Sequence, residues 1–518
     1  MTAHLAILPV VIPALAGALL LALASRSIGP RRAVGLVATM LQLAVAWALL
    51  AQSAEGGPIA YFVGDWPAPF GIALVVDRLA ALMLVTTSVV ALCALVYARA
   101  GWDAHGRYFH ALFQFQLMGL AGAFLTGDLF NLFVFFEVLL IASYTLLLHG
   151  RGEERVRAAL HYVVLNLVGS SLFLIAASLL YSVTGTLNMA DLALRVSALP
   201  AADAAIARSA GLMLLVVFAL KAALFPLYFW LPAAYASATA PVAALFAIMT
   251  KVGVYAIVRV FVLVFGGPDG LAAWAGPGLA ILGIATMLLG VLGALAAHRL
   301  ATLVAYVTVS SVGTMLAAVA LFSVASLAGA IYYMVHSTLA VAALFLLAEI
   351  VASQRGPAAD RLQPAPPLAN PTVLGVVFLL GAASVVGLPP LSGFIGKIMI
   401  LQGTRDSALA PWIWTGLLTT GFLMLVGVAR AGSILFWQTA QGDSAEVPSG
   451  VSAGTLGPAL ALVGATVLMA VFADPATRFT QSAAAQLLNR AAYVEAVLGP
   501  VGGQNAQTVR PFPGVNRR

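Results

Sequence analysis

Apolar runs of about twenty residues, each long enough to cross a bilayer, recur almost from the start of the chain to beyond residue 470. In hydrocarbon every backbone N–H and C=O must be satisfied by the protein itself, so such runs fold as helices. Composition agrees. Of 518 residues, 62% are hydrophobic and 8% charged, too few charges for a water-soluble surface. Spans are expected at roughly 4–24, 33–52, 72–97, 108–126, 129–149, 158–182, 208–231, 241–265, 274–296, 300–322, 325–352, 372–401, 410–437 and 455–473, about fourteen in all. The expected fold class is an all-α polytopic membrane protein, with a transmembrane domain over 1–474 and a tail over 475–518. The first run ends in ALA before Ser25, as a signal peptide does. No Lys or Arg precedes its apolar core, so a retained first span is expected.

Arginines orient the spans. One set of loops holds Arg26, Arg31, Arg32, Arg99, Arg107, Arg151, Arg155, Arg157, Arg299, Arg355, Arg361 and Arg430. The opposite set holds chiefly Arg195, Arg208 and Arg405, beside Asp65, Asp191, Asp203, Asp269 and Asp406. Positive loops stay inside, so the chain is expected in the bacterial cytoplasmic membrane with both termini on the outer face. The net charge of +7 is spread over these loops and not gathered on a face, which argues against a nucleic-acid partner. The one cysteine, Cys93, supplies no disulfide framework, iron–sulfur cluster or Cys-based zinc site. No phosphate-binding or dinucleotide glycine loop appears, and no cluster has metal-ligand spacing. No cofactor and no metal are expected, and the driving energy must come from an ion gradient or a partner. In the tail, Leu487, Leu488, Tyr493 and Leu498 with Arg478 and Arg490 suit an interfacial or partner-docking helix about as well as a frayed end. The final PFPGVNRR reads as disordered.

All three lysines fall inside spans: Lys221, Lys251 and Lys397. Lysine can shed its proton when desolvated, whereas arginine holds its charge. Glu137 and His336 also lie at membrane depth. A charge there costs about 2.5–3.5 kcal/mol even on the gentler scale, so these groups must be paired, hydrated or partly neutral. Glu137 and Lys221 read as partners, either a fixed ion pair or a switchable one. Lys251, without a local acid, suits a proton relay better than a static charge. His336, between Lys251 and Lys397, either carries a proton or simply hydrogen-bonds. Two spans are interrupted near lysines: Pro226 and Pro232 follow Lys221, while Gly387, Pro389, Pro390 and Gly393 precede Lys397. Free backbone at such depth survives only against protein or a wet cavity, and paired breaks point to inverted repeats around a transport path. Accessory candidates are His161 (an intake group or a snorkelling side chain), Ser310, Ser311 and Thr314 (path hydration or helix packing) and Asp77, expected to pair with Arg78. Asp128 reads as an N-cap, and Glu349 as interfacial.

At TGDLFNLFVFFEVLLIASY, KAALFPLYFWLPAAYASATAPVAALFAIMTKVGVY and GLPPLSGFIGK the chain resembles the proton-translocating subunit family shared by Mrp-type antiporters and respiratory complex I. Within it the likeness is to the D-subunit branch of the Mrp (Mnh, Pha) antiporters. The resemblance implies fourteen helices and two inverted five-helix repeats, about 108–265 and 274–437, with broken seventh and twelfth spans. It also implies a mid-plane axis in which Glu137 pairs with Lys221, Lys251 is the central relay and Lys397 ends the chain. The segment AYVTVSSVG lacks a histidine often found in the family, and Val341 and Ala342 stand near where many relatives have a lysine. His336 is therefore expected to carry the middle of the relay with water. The function so implied is proton translocation within a multisubunit Na+ or K+/proton antiporter, in a hetero-oligomeric complex and without a redox centre of its own. The alternative is an antiporter-like pumping subunit of complex I or a membrane-bound hydrogenase.

Overall fold

The computed structural model describes residues 2–150, 152–267, 270–438 and 451–500. The expectations for Arg151, Asp269 and PFPGVNRR thus lie outside the described residues. α1 (Leu8–Ala22), α2 (Ile28–Glu55) and α3 (Arg78–Ala98) open the chain. Between α2 and α3, β1 (Ile59–Phe62) and β2 (Ala73–Val76) pair antiparallel, with Ile59 opposite Val76. Next come α4 (Phe109–Leu125), α5 (Leu129–Leu147), α6 (Glu153–Thr184), α7 (Met189–Ser197), α8 (Ala201–Ala222), α9 (Trp230–Ser237), α10 (Ala240–Phe246) and α11 (Met249–Leu263). Then follow α12 (Leu271–Ala296), α13 (Leu300–Val319), α14 (Val324–Gln354), α15 (Pro371–Val386), α16 (Ser392–Thr404) and α17 (Ala410–Phe436). The chain closes with α18 (Ala453–Val471), α19 (Ala473–Leu488) and α20 (Arg490–Leu498).

Among the described residues twelve helices, with α10 and α11 taken as one, are long and apolar enough to cross a membrane, and α4 and α15 are shorter apolar helices. α6 begins at Glu153, earlier than expected at 158, because Glu153 and Glu154 in its first turn suit the positive end of the helix dipole. The span of α10 and α11 is buried throughout, and α13 and α14 nearly so. These three form the centre against which the outer helices pack.

Helix ends mark two faces of the bundle. On one, called here the Arg299 face, Arg299 reaches Asp360 and Glu154. On the other, the Asp77 face, Asp77 caps α3 by accepting from Ala80 N at 2.8 Å, and Asp128 caps α5 by accepting from Asn131 N at 2.8 Å. In the turn after α3 the Asp103 carboxylate is fully buried and receives Arg32 Nε at 2.6 Å and His110 Nε2 at 3.1 Å. Burial alone raises its pKa, but the hydrogen bonds it accepts, first from the Arg32 guanidinium and then from His110, outweigh that and hold it at about 2. α19 folds back over α14, α3 and α11, and α20 lies against α7. Arg490 anchors them by donating to the carbonyls of Leu263, Gly266 and Ala193.

Both proline-marked spans are broken where expected. α8 stops at Ala223, in the left-handed region at φ 62°, and the chain resumes in α9. α15 stops at Gly387 (φ 84°), and α16 starts five residues later. The freed backbone is satisfied by protein: Trp230 Nε1 donates to Leu220 O at 3.1 Å, and Phe225 N donates to Thr286 Oγ1 at 2.9 Å.

Candidate functional site: buried amines at two helix breaks

Lys221 occupies the last turn of α8, just before the first break. Its Nζ donates to Asn166 Oδ1 on α6 at 3.1 Å and lies 5.8 Å from the Phe136 ring centroid. Glu137 on α5 turns instead to α6, where it accepts a short hydrogen bond from Ser170 Oγ. The direct Glu137–Lys221 ion pair expected from the sequence is therefore not made among the described residues. Asn166 and Ser170, four residues apart on one face of α6, stand between the two groups. Sequence reading passed over both. The signal was a pair of polar residues at helical spacing inside the apolar run LHYVVLNLVGSSLFL. A cavity of about 10 Å³, close to the space of one water, lies against Lys221, Asn166, Tyr162, Met249 and Val252. It links the first break to α11.

Lys251 lies near the start of α11. It is wholly buried, and its Nζ has no hydrogen-bond partner, nor has the neighbouring Thr250 Oγ1. Gly253 allows this depth, since a Cβ there would fall 2.4 Å from Ala222 N at the end of α8. A lysine with no acceptor in such surroundings carries a proton only with water or a mobile anion beside it. Its charge is conditional.

At the second break Lys397 Nζ donates at 2.5 Å to Val386 O, a carbonyl at the end of α15. His336 on α14 grips the same break, its Nδ1 2.9 Å from Ser392 Oγ at the head of α16. Gly393 is required there, because a Cβ would stand 2.9 Å from His336 Nε2 and 1.8 Å from Ser384 O. Lys221, Lys251 and His336 are buried, whereas Glu137 and Lys397 are partly exposed. The groups expected at the two ends of the thread are thus the ones that reach the surface of the subunit.

The accessory candidates divide. Ser310 donates to Met287 O on α12, whereas Ser311 and Thr314 donate to Thr308 O and Ser310 O within α13 itself. His161 is exposed on α6 and lines a cavity of about 780 Å³ on the Arg299 face. An adjoining cavity of about 460 Å³ is lined by Glu349 and Asp360 and reaches Tyr235 and Ala243. Asp77 does not pair with Arg78, which donates instead to Ala54 O. Its partner is Arg259 on α11, Nη1 to Oδ2 at 2.5 Å, both side chains buried. Sequence reading missed Arg259, although a lone arginine inside VYAIVRVFVLVF signals a buried counter-ion. Among the described residues no His, Cys, Asp or Glu cluster is arranged to hold a metal.

The family described as NADH:quinone oxidoreductase/Mrp antiporter, transmembrane, matches residues 126–424, which hold all five ionisable groups of the thread. The chain is 41% identical to the D-type subunit of a probable K+/H+ antiporter from Rhizobium meliloti, over 96% of this chain and 97% of that one. It is 37% identical to the D-type subunit of a Na+/H+ antiporter from Bacillus subtilis, over 95% and 99%. A chain in the structure of the Mrp complex from Dietzia sp. DQ12-45-1b superposes with a TM-score of 0.87 at 30% identity, covering 96% of this chain and 99% of that one.

Proposed function

The chain belongs to the NADH:quinone oxidoreductase/Mrp antiporter family, and we propose that it is the proton-translocating subunit of a multisubunit Na+ or K+/proton antiporter. It works with other membrane subunits and without a redox centre of its own. The observation that carries the reading is Lys251, an amine fully buried and unpartnered between two helix breaks that each present a further lysine. Lys221 keeps its proton while Asn166 accepts its hydrogen bond and the Glu137 charge is near. Movement of Glu137 away from α6 removes that support, and the ammonium of Lys221 passes its proton to the neutral amine of Lys251. His336 and Lys397 carry it onward with intervening water. Moving one charge across 100 mV is worth about 2.3 kcal/mol, comparable to one strong hydrogen bond to an ion. The switch therefore has the right scale.

Glu137 lies partly exposed beside the exposed apolar residues Val134 and Ile141. A neighbouring subunit that covers this face is placed to move it. By the arginine pattern the Arg299 face is cytoplasmic and both termini lie outside the bacterial cytoplasmic membrane. The two breaks support inverted repeats over about 108–265 and 274–437, followed by the tail from 475. The test is Lys251→Met in the assembled complex, assayed in everted vesicles by recovery of a pH-sensitive dye on addition of Na+ or K+. Loss of cation-dependent recovery is expected, and unchanged antiport overturns the relay. Flavin or iron–sulfur subunits co-purifying with the chain would move it to the redox branch of the family.

A further inference from the structure

Lys251, Tyr255 and Arg259 stand at i, i+4 and i+8 on α11, a single row of buried polar side chains rising from Lys251 to the Asp77 face. The upper part of that row is shut. Tyr255 Oη donates to Phe124 O at 2.5 Å and accepts from Arg259 Nε at 3.2 Å and Nη2 at 2.9 Å, so its proton and both lone pairs are taken. Arg259 Nη1 holds Asp77 Oδ2 at 2.5 Å, while the other Asp77 oxygen caps α3. The guanidinium also lies 5.2 Å and 5.5 Å from the ring centroids of Tyr255 and Tyr493. Tyr493 is on α20, and its buried Oη has no hydrogen-bond partner. On the Arg299 face the 460 Å³ cavity with Glu349 and Asp360 reaches α9 and, at Ala240 and Ala243, α10, the segment that leads into the Lys251 helix.

We propose that the Asp77–Arg259 pair is the gate that closes Lys251 to the Asp77 face, so that protons reach this amine only from the Arg299 face or along the thread. The proposal rests on the reading of Lys251 as a relay group. An arginine suits the part because it does not lose its proton at any working pH, so the pair is not opened by deprotonation. Tyr255 and Tyr493 are positioning residues that hold the guanidinium against its carboxylate.

The experiment uses the whole complex in vesicles. An imposed pH gradient is followed as it decays in the absence of any Na+ or K+ gradient. Asp77→Asn leaves Arg259 buried without its counter-ion, so water must enter or the side chain must swing away. The passive proton leak is expected to rise roughly tenfold, a barrier lower by about 1.4 kcal/mol. In the double variant Asp77→Asn/Lys251→Met the leak is expected to return to the wild-type level, because its path runs through Lys251. A proton-tight Asp77→Asn complex overturns the gate. A leak that persists in the double variant also overturns it, by showing loosened packing in place of an opened path. If Asp77→Asn does not assemble, Arg259→Lys, which keeps the charge and loses the two-pronged grip, is measured in the same way. Failure of both to assemble assigns the pair to folding and overturns the gate. The two readings fail separately: Lys251→Met with normal antiport refutes the relay, whereas inactive Lys251→Met beside a tight Asp77→Asn refutes only the gate.

Discussion

In the proposed relay the loading of Lys221 depends on its contact with Asn166, and replacing Asn166 by leucine tests that directly. Leucine keeps the branched shape of the side chain, though it is larger, and keeps the helix, but it removes the acceptor that Lys221 Nζ holds at 3.1 Å. A hydrogen bond to a charged group contributes about 1.5–3 kcal/mol. What remains near the amine is the Phe136 ring at 5.8 Å, an interaction of about 0.5–2 kcal/mol already present in the wild type. The protonated form of Lys221 therefore loses about 1.5–3 kcal/mol, a shift of roughly ten- to hundredfold in the population that loads the relay. Initial antiport rates in everted vesicles, at matched amounts of assembled complex, should fall by about that factor. Asn166→Asp should also impair transport, for the opposite reason: a carboxylate beside Lys221 pins the proton there. Wild-type rates in Asn166→Leu would show that Lys221 does not depend on this contact, and the loading step as described would be wrong.

Two further outcomes follow. Glu137→Ala or Lys221→Ala should abolish cation-dependent proton release while the complex still assembles; near-normal transport in either removes that residue from the relay. Asp103→Asn should lower stability by about 2 kcal/mol at neutral pH, from a carboxyl that moves from 3.8 to about 2 on folding. Because the folded value is the lower one, that contribution is fully present above the unfolded pKa. It is lost only as the pH falls through about 2. Thermal unfolding of the purified complex between pH 5 and 8 should therefore show a constant gap between wild type and Asp103→Asn; a gap that closes across this range contradicts the assignment.

The amino-acid sequence by itself determined the membrane class, the approximate positions of the spans, which two of them break, and that Glu137, Lys221, Lys251, His336 and Lys397 fall within them. Each of these depends on local quantities: the length of an apolar run, a proline that frees a carbonyl, or a lysine with hydrocarbon on both sides. Asp128 was legible as a cap for the same reason, since its acceptor role reaches only three residues along the chain. The partners were not legible. Lys221 and Glu137 were expected to meet, yet the packing of α6 beside α5 and α8 interposes Asn166 and Ser170. Asp77 looked paired with its neighbour Arg78 but finds Arg259, 182 residues away, because α19 packs against both α3 and α11 and brings the two side chains within reach. Ser310, Ser311 and Thr314 read either as path hydration or as helix packing, and their protons go to carbonyls of α12 and of α13 itself. In hydrocarbon a polar group must bond to whatever the neighbouring helices present. A helix register that brings distant segments together therefore settled these contacts, and local pattern did not.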